Sequence, residues 1–231
     1  MNRLSYMILL PLLLIGGMAC TQETQDSQVA TPADQIADAA VSTDSVKVAI
    51  QTCFQAYRSA ILNNRSEEAA SFVSARTFAY YQEILNQCRH SDSLTVDALP
   101  LLDKFSTLLF RARIPKSVLA TADGKTLFIY LLNNGMVSKE SVTRNELGKI
   151  IYSELSARAP LLVDGQATPM ALQFHQEAGA WKLDLTSLFP VSQEAFQQQV
   201  DETGLRENVY LEELIANMQA IPENALWKPT K

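Results

Sequence analysis

Few side chains in this 231-residue chain are of types that do chemistry, and their spacing narrows that chemistry further. The two histidines, His90 and His175, stand far apart with no Cys or acid at ligand spacing, so no metal is expected. No glycine-rich phosphate loop, nucleophile elbow or His-Glu helix motif occurs, and no Ser-His-Asp set is marked out. Nothing calls for a cofactor. Tyr57, Tyr80, Tyr81, Tyr130 and Tyr152 have the reach to line a pocket, although tyrosines on apolar faces are most often core residues with a bonded hydroxyl. The residues with the clearest chemical options are the three cysteines, Cys20, Cys53 and Cys88.

Two of these sit in helical patterns. Thr43 and Asp44 are N-cap candidates, and Val46, Ile50, Phe54, Tyr57 and Ile61 recur behind them at helical spacing up to Asn63-Asn64. A short helical turn over 66–72 follows, and Phe78, Tyr81, Ile84, Leu85 and Cys88 mark the apolar face of a further helix. Cys53 and Cys88 both point inward, and at about 1.5 Å per residue they lie at comparable depths from the connection between their helices. An antiparallel hairpin would bring them together as a disulfide; the other option is a pair of buried, reduced thiols acting as small hydrophobes.

Cys20 has a different setting. It ends MNRLSYMILLPLLLIGGMAC, where Arg3 precedes an apolar run from Tyr6 to Ile15 and small residues follow. The run is too short for a permanent membrane span, and residues 1–19 read as a signal peptide. Gly-Met-Ala before the cysteine resembles the bacterial lipoprotein signal, with Gly17 where that family usually has Leu. The resemblance implies cleavage between Ala19 and Cys20, diacylglycerol on the sulfur and acylation of the new amine. Lipidation of Cys20 also leaves an even pair of cysteines for an oxidising compartment. Several acyl chains on one residue hold a protein to a membrane durably. Because Thr21, and not Asp, follows the cysteine, the implied destination is the outer membrane, facing the periplasm in a cell with two membranes. The alternative is a plain secreted protein beginning at an unmodified cysteine.

Loss of Arg3 with the leader leaves 18 basic against 25 acidic residues, a net charge of −7. That balance argues against a nucleic-acid partner and against nonspecific attraction to anionic lipid heads. Residues 20–43, the lipidated cysteine and the stretch after it, contain no Lys, Arg or aromatic residue and read as a flexible tether.

The remaining pattern is helical and then β. A third helix is expected over 96–112, with Leu99, Leu102, Phe105, Leu108 and Leu109 inward; Arg111, Arg113 and Lys116 after it suit either an anion or the helix dipole. KTLFIYLLNNG (125–135) fits strand or helix equally. The segments 147–155, 159–166, 169–176 and 181–188 read as strands joined by Asp164-Gly165 and Ala178-Gly179-Ala180. Alternation places Met170, Leu172, Phe174, Trp181, Leu183 and Leu185 on one face, with Gln173, His175, Lys182 and Asp184 on the other, toward solvent. Two C-terminal helices, 193–203 and 207–219, are expected to cover part of the sheet or of the helix layer.

Helices followed by an antiparallel meander that ends in Gly-x-Trp-Lys-x-Asp resemble the NTF2-like (SnoaL-like) fold over 44–189, with 190–231 as a helical extension. The implied class is α+β: N-terminal helices packed on a curved antiparallel sheet that forms a cone with an open pocket. Such a pocket makes Tyr57, Tyr81, Tyr130 and Tyr152 candidate lining residues. Enzymes of this fold, such as ketosteroid isomerases and polyketide cyclases, use a pocket acid with a Tyr or Asp partner. Asp184, the acid in the sheet, falls on the wrong face for that work, and fold alone confers no activity. The leading expectation is therefore a membrane-tethered, noncatalytic binding or accessory module for a small apolar ligand or a protein partner. A pocket enzyme of the isomerase or cyclase type and a filled-core protein acting through its surface are the alternatives.

Overall fold

The computed structural model describes the backbone of residues 36–137, 139–218 and 226–231, with side chains from Ser45 onward except those of 140 and 141. The leader, Ala19, Cys20 and the tether as far as residue 35 lie outside the described residues. The chain runs through helices α1 (Ile36–Leu62), α2 (Ser66–Ser71), α3 (Ala75–His90), α4 (Ser93–Asp97), α5 (Leu101–Arg113), α6 (Lys116–Thr121), α7 (Gly124–Asn133) and α8 (Glu140–Thr143). Strands β1 (Asn145–Leu147), β2 (Ile151–Tyr152), β3 (Ser156–Val163), β4 (Gln166–Glu177) and β5 (Ala180–Asp184) follow. A 3₁₀ turn (Leu185–Leu188) leads into α9 (Phe189–Thr203) and α10 (Glu207–Met218). The class is α+β, with helices against a curled antiparallel sheet shaped as a half-barrel.

The sheet order is β1-β3-β4-β5, and β2 also pairs with β3. Both long hairpins turn through left-handed backbone: φ is 52° and 74° at Asp164-Gly165 and 51° and 79° at Ala178-Gly179. Such turns match the twist of the strands they join. The expected strand over 147–155 divides into β1, β2 and the tip of the β2–β3 hairpin.

Several helix boundaries differ from expectation for local reasons. Instead of starting at the Thr43-Asp44 caps, the helix is already present from Ile36, and the Ala-rich stretch before the caps sustains it through them. The single helix expected over 96–112 is two, since Pro100 has no N–H to give and becomes the N-cap of α5. Residues 125–135, open between strand and helix, are α7: the Asp123 carboxylate accepts from Thr126 N at 2.7 Å and caps it. Gly124 carries the crossing of α7 over α3; a Cβ there would lie 2.0 Å from the Phe78 carbonyl oxygen.

Two cores result. In the larger, the inward row of the sheet (Leu161, Leu172, Phe174, Trp181 and Leu183) packs on Phe54, Tyr57, Tyr81, Phe110 and Phe128. The smaller joins Val96, Leu102, Phe105 and Leu109 to Phe196, Val200, Leu211, Ile215 and Leu226. The C-terminal helices thus complete the helix layer through α5.

The expected Cys53–Cys88 disulfide is not formed in this structure. Cys53 and Cys88 are both buried, free thiols. Its premise was a hairpin of their two helices, but α1 packs chiefly on α2, α8 and β5, while α3 packs on α5, α6 and α7. Each sulfur faces its own carbonyl, Cys53 that of Phe72 at 3.7 Å and Cys88 that of Thr107 at 3.6 Å. Burial pushes the Cys53 thiol up to about 11 and the Cys88 thiol up to about 12.

Candidate functional site

Of the four pocket tyrosines, Tyr57 and Tyr81 come near each other in the core, whereas Tyr130 and Tyr152 stand at its margin. Tyr57 and Tyr81 are enclosed in the larger core, and burial holds both phenols above their ordinary range. Tyr130 and Tyr152 are partly buried at the margin of the same core. Four of the largest side chains, Phe54, Phe110, Phe128 and Phe174, are at most 2 % exposed around them.

Asp184 lies on the face that alternation assigns it, but that face is not open to solvent there. It shares a sheet face with His175 and Lys182, as expected, yet it is only 4 % exposed. The start of α3 and the 3₁₀ turn close over it: Thr186 donates its N–H at 3.0 Å and its hydroxyl at 2.6 Å, and Thr77 Oγ1 lies at 3.5 Å. Thr77 Oγ1 in turn accepts from Leu185 N at 3.0 Å. His175 Nε2 stands 3.3 Å from the second Asp184 oxygen, within ion-pair distance but off the line that a hydrogen bond requires. Next to this pair, Glu177 caps α3 by accepting from Ser74 Oγ at 2.6 Å and from Ala75 N. Every acid in this cluster is committed to seating α3 on β4 and β5.

An acid beside a tyrosine does occur, between one of the tyrosines the sequence offered and an acid it did not mark. Tyr80, on α3, donates to Asp103 Oδ1, on α5, at 2.9 Å and packs against Phe189 in a tilted arrangement with ring centroids 4.5 Å apart. Burial raises both groups, and the Asp103 charge raises Tyr80 further. The pair bolts the two cores together at the foot of α9.

The basic residues are engaged by helix ends. Arg111 donates to the carbonyls of Gln87, Cys88 and Ser91 at the end of α3 and to that of Leu226. Arg89 donates to the Leu119 and Ala122 carbonyls at the end of α6. Arg58 serves the Val142 and Thr143 carbonyls of α8, and Lys182 the last carbonyl of α2. Each cation thus satisfies carbonyls that a helix terminus leaves open. The sequence signal, basic residues near helix ends, was present for Arg111, but the helix it serves is a neighbour.

A polar cleft of about 450 Å³ lies where α4, α5 and α10 meet, lined by Asp97, Lys104, Arg206, Glu207, Asn208, Val209 and Glu212. Its floor is the Lys104 ammonium, with a side chain 5 % exposed, held by Glu207 at 2.6 Å and by Asp97 and Asn208 at 3.3 Å. All three ammonium donors are therefore used.

Among the described residues no group of three or more His, Cys, Asp or Glu side chains could hold a metal, and no helix is long and apolar enough to cross a membrane. Comparison with protein families, characterised proteins and solved structures finds no match to this chain.

Proposed function

We propose that this chain is a lipid-anchored, periplasm-facing accessory protein of NTF2-like architecture that binds a protein partner through its surface and catalyses no reaction. Cys20 is the anchor in this reading, acylated after cleavage at Ala19, and Thr21 directs it to the outer membrane. A curled antiparallel half-barrel sheet sharing one core with the helices is compatible with that architecture. The observation that carries the mode of action is burial: Phe54, Phe110, Phe128 and Phe174 are at most 2 % exposed, where a cone open to solvent would leave its lining accessible. This favours a protein partner over a small apolar ligand.

Surface apolar groups suit the same reading. Ile151 and Leu155, 68 % and 62 % exposed, stand four residues apart in the β2–β3 hairpin at the sheet edge. Two experiments test the proposal. Metabolic labelling with an alkynyl fatty acid is expected to mark the full chain and to fail on Cys20→Ala, with loss from the membrane fraction; a labelled or membrane-retained variant overturns the anchor. A photo-crosslinking residue at 151 or 155 is expected to join one envelope protein, and Ile151→Asp to abolish the product. No product, or one indifferent to that substitution, overturns the hairpin as the contact.

A further inference from the structure

The end of the chain is seated on the body as a ligand would be. Leu226 is 6 % exposed and fills the smaller core, and its carbonyl accepts from Arg111 Nη1 at 3.2 Å. The Trp227 indole donates to Glu212 Oε1 at 2.7 Å. Further on, the main-chain N–H groups of Thr230 and Lys231 donate to the Cys88 and Arg89 carbonyls at 3.1 Å, and Thr230 Oγ1 donates to Cys88 O at 3.2 Å. Two side chains enter specific surroundings while main-chain groups set the register, the division of labour of a short-peptide site.

The receiving surface is largely built without the tail. Arg111 is held by three α3 carbonyls besides that of Leu226, and the remaining apolar wall is α5, α9 and α10. The acceptors offered to Thr230 and Lys231 are carbonyls at the end of α3, which accept from any backbone.

We infer that the surface formed by the end of α3, Arg111, Glu212 and the smaller core is a peptide-binding groove, and that residues 226–231 are its internal occupant. A partner enters by supplying the same chemistry: an extended segment in which a buried aliphatic residue is followed by Trp, with a free N–H pair three to four residues later. The inference rests on the protein-partner reading above and gives it a second surface. A tethered occupant acts at an effective concentration of about a millimolar, so the intact chain holds its groove closed against a weak competitor.

The test uses fluorescence anisotropy with a fluorescein-labelled peptide Leu-Trp-Lys-Pro-Thr-Lys, the sequence of residues 226–231. The mature chain with Cys20→Ser is compared with the same chain ending at residue 225. The shortened chain is expected to bind at least tenfold more tightly than the intact one, and a peptide with Ala for both Leu and Trp at least tenfold more weakly. Equal binding by the two chains, or by the two peptides, overturns the groove. Should the shortened chain lack a native circular dichroism spectrum, the full-length Leu226→Ala/Trp227→Ala variant takes its place, with severalfold tighter binding than the parent expected and no gain contradicting it. A bound small molecule in the intact protein would sink the protein-partner reading without moving these titrations; failed titrations on a ligand-free chain sink the groove alone.

Discussion

Arg111 and Leu226 are joined by a guanidinium-to-carbonyl hydrogen bond of 3.2 Å, which ties the last residues of the chain to a side chain that also closes the end of α3. Four carbonyls from two segments converge on this one cation. Removing it strands buried acceptors, so Arg111→Ala is expected to cost about 3 kcal/mol in urea unfolding. Arg111→Lys keeps the charge without the planar fork and should recover less than half of that. A loss within experimental error for either variant would contradict the capping role.

Gly124 sets the approach of α7 to α3. Its missing Cβ would meet the Phe78 carbonyl oxygen at 2.0 Å and Gln82 N at 2.8 Å, both backbone atoms that cannot swing away. Gly124→Ala is expected to destabilise by about 2 to 3 kcal/mol despite the better helix propensity of Ala. Unchanged thermal unfolding would show that the two helices do not pack at this spacing.

Cys53 and Cys88 are free and have thiols raised by burial to about 11 and about 12. Neither is thiolate at pH 8, and neither is accessible. The chain with Cys20→Ser should therefore give no reaction with Ellman's reagent when native and two equivalents in guanidinium. A mass change on reduction of the denatured protein would reinstate the disulfide.

Tyr57, Tyr80 and Tyr81 bear on alkaline stability. Their folded values lie above the ordinary 10.0, burial being the leading cause in each. The folded state keeps these protons after the unfolded chain has lost them, so the stabilisation is full below pH 10 and declines as pH rises beyond it. Tyrosinate absorbance from these three should appear only together with loss of the circular dichroism signal; smooth ionisation in a folded protein would contradict their burial.

The strands from Ser156 to Asp184 and the apolar faces of α1, α3 and α5 were legible in the sequence, because a period of 2 or 3.6 is imposed directly by burial on one side. The cap that makes α7 a helix was legible in principle: Asp123 precedes Gly-Lys-Thr in the pattern of an N-cap. What periodicity could not convey was which elements meet. Cys53 and Cys88 satisfy the spacing for inward positions, yet their helices have different neighbours. Asp184 obeys the alternation, but whether that face meets water depends on where α3 begins, a long-range fact. Tyr80 and Asp103 lie on separate helices, and no local signal pairs them.

The most direct measurement is native mass spectrometry of the mature chain with Cys20→Ser, exported to a periplasm and purified without detergent. A filled interior predicts the mass of the polypeptide alone, with nothing released on denaturation. A stoichiometric apolar molecule that leaves only when the protein unfolds would contradict the account and return the concave face of the sheet to the role of a ligand site.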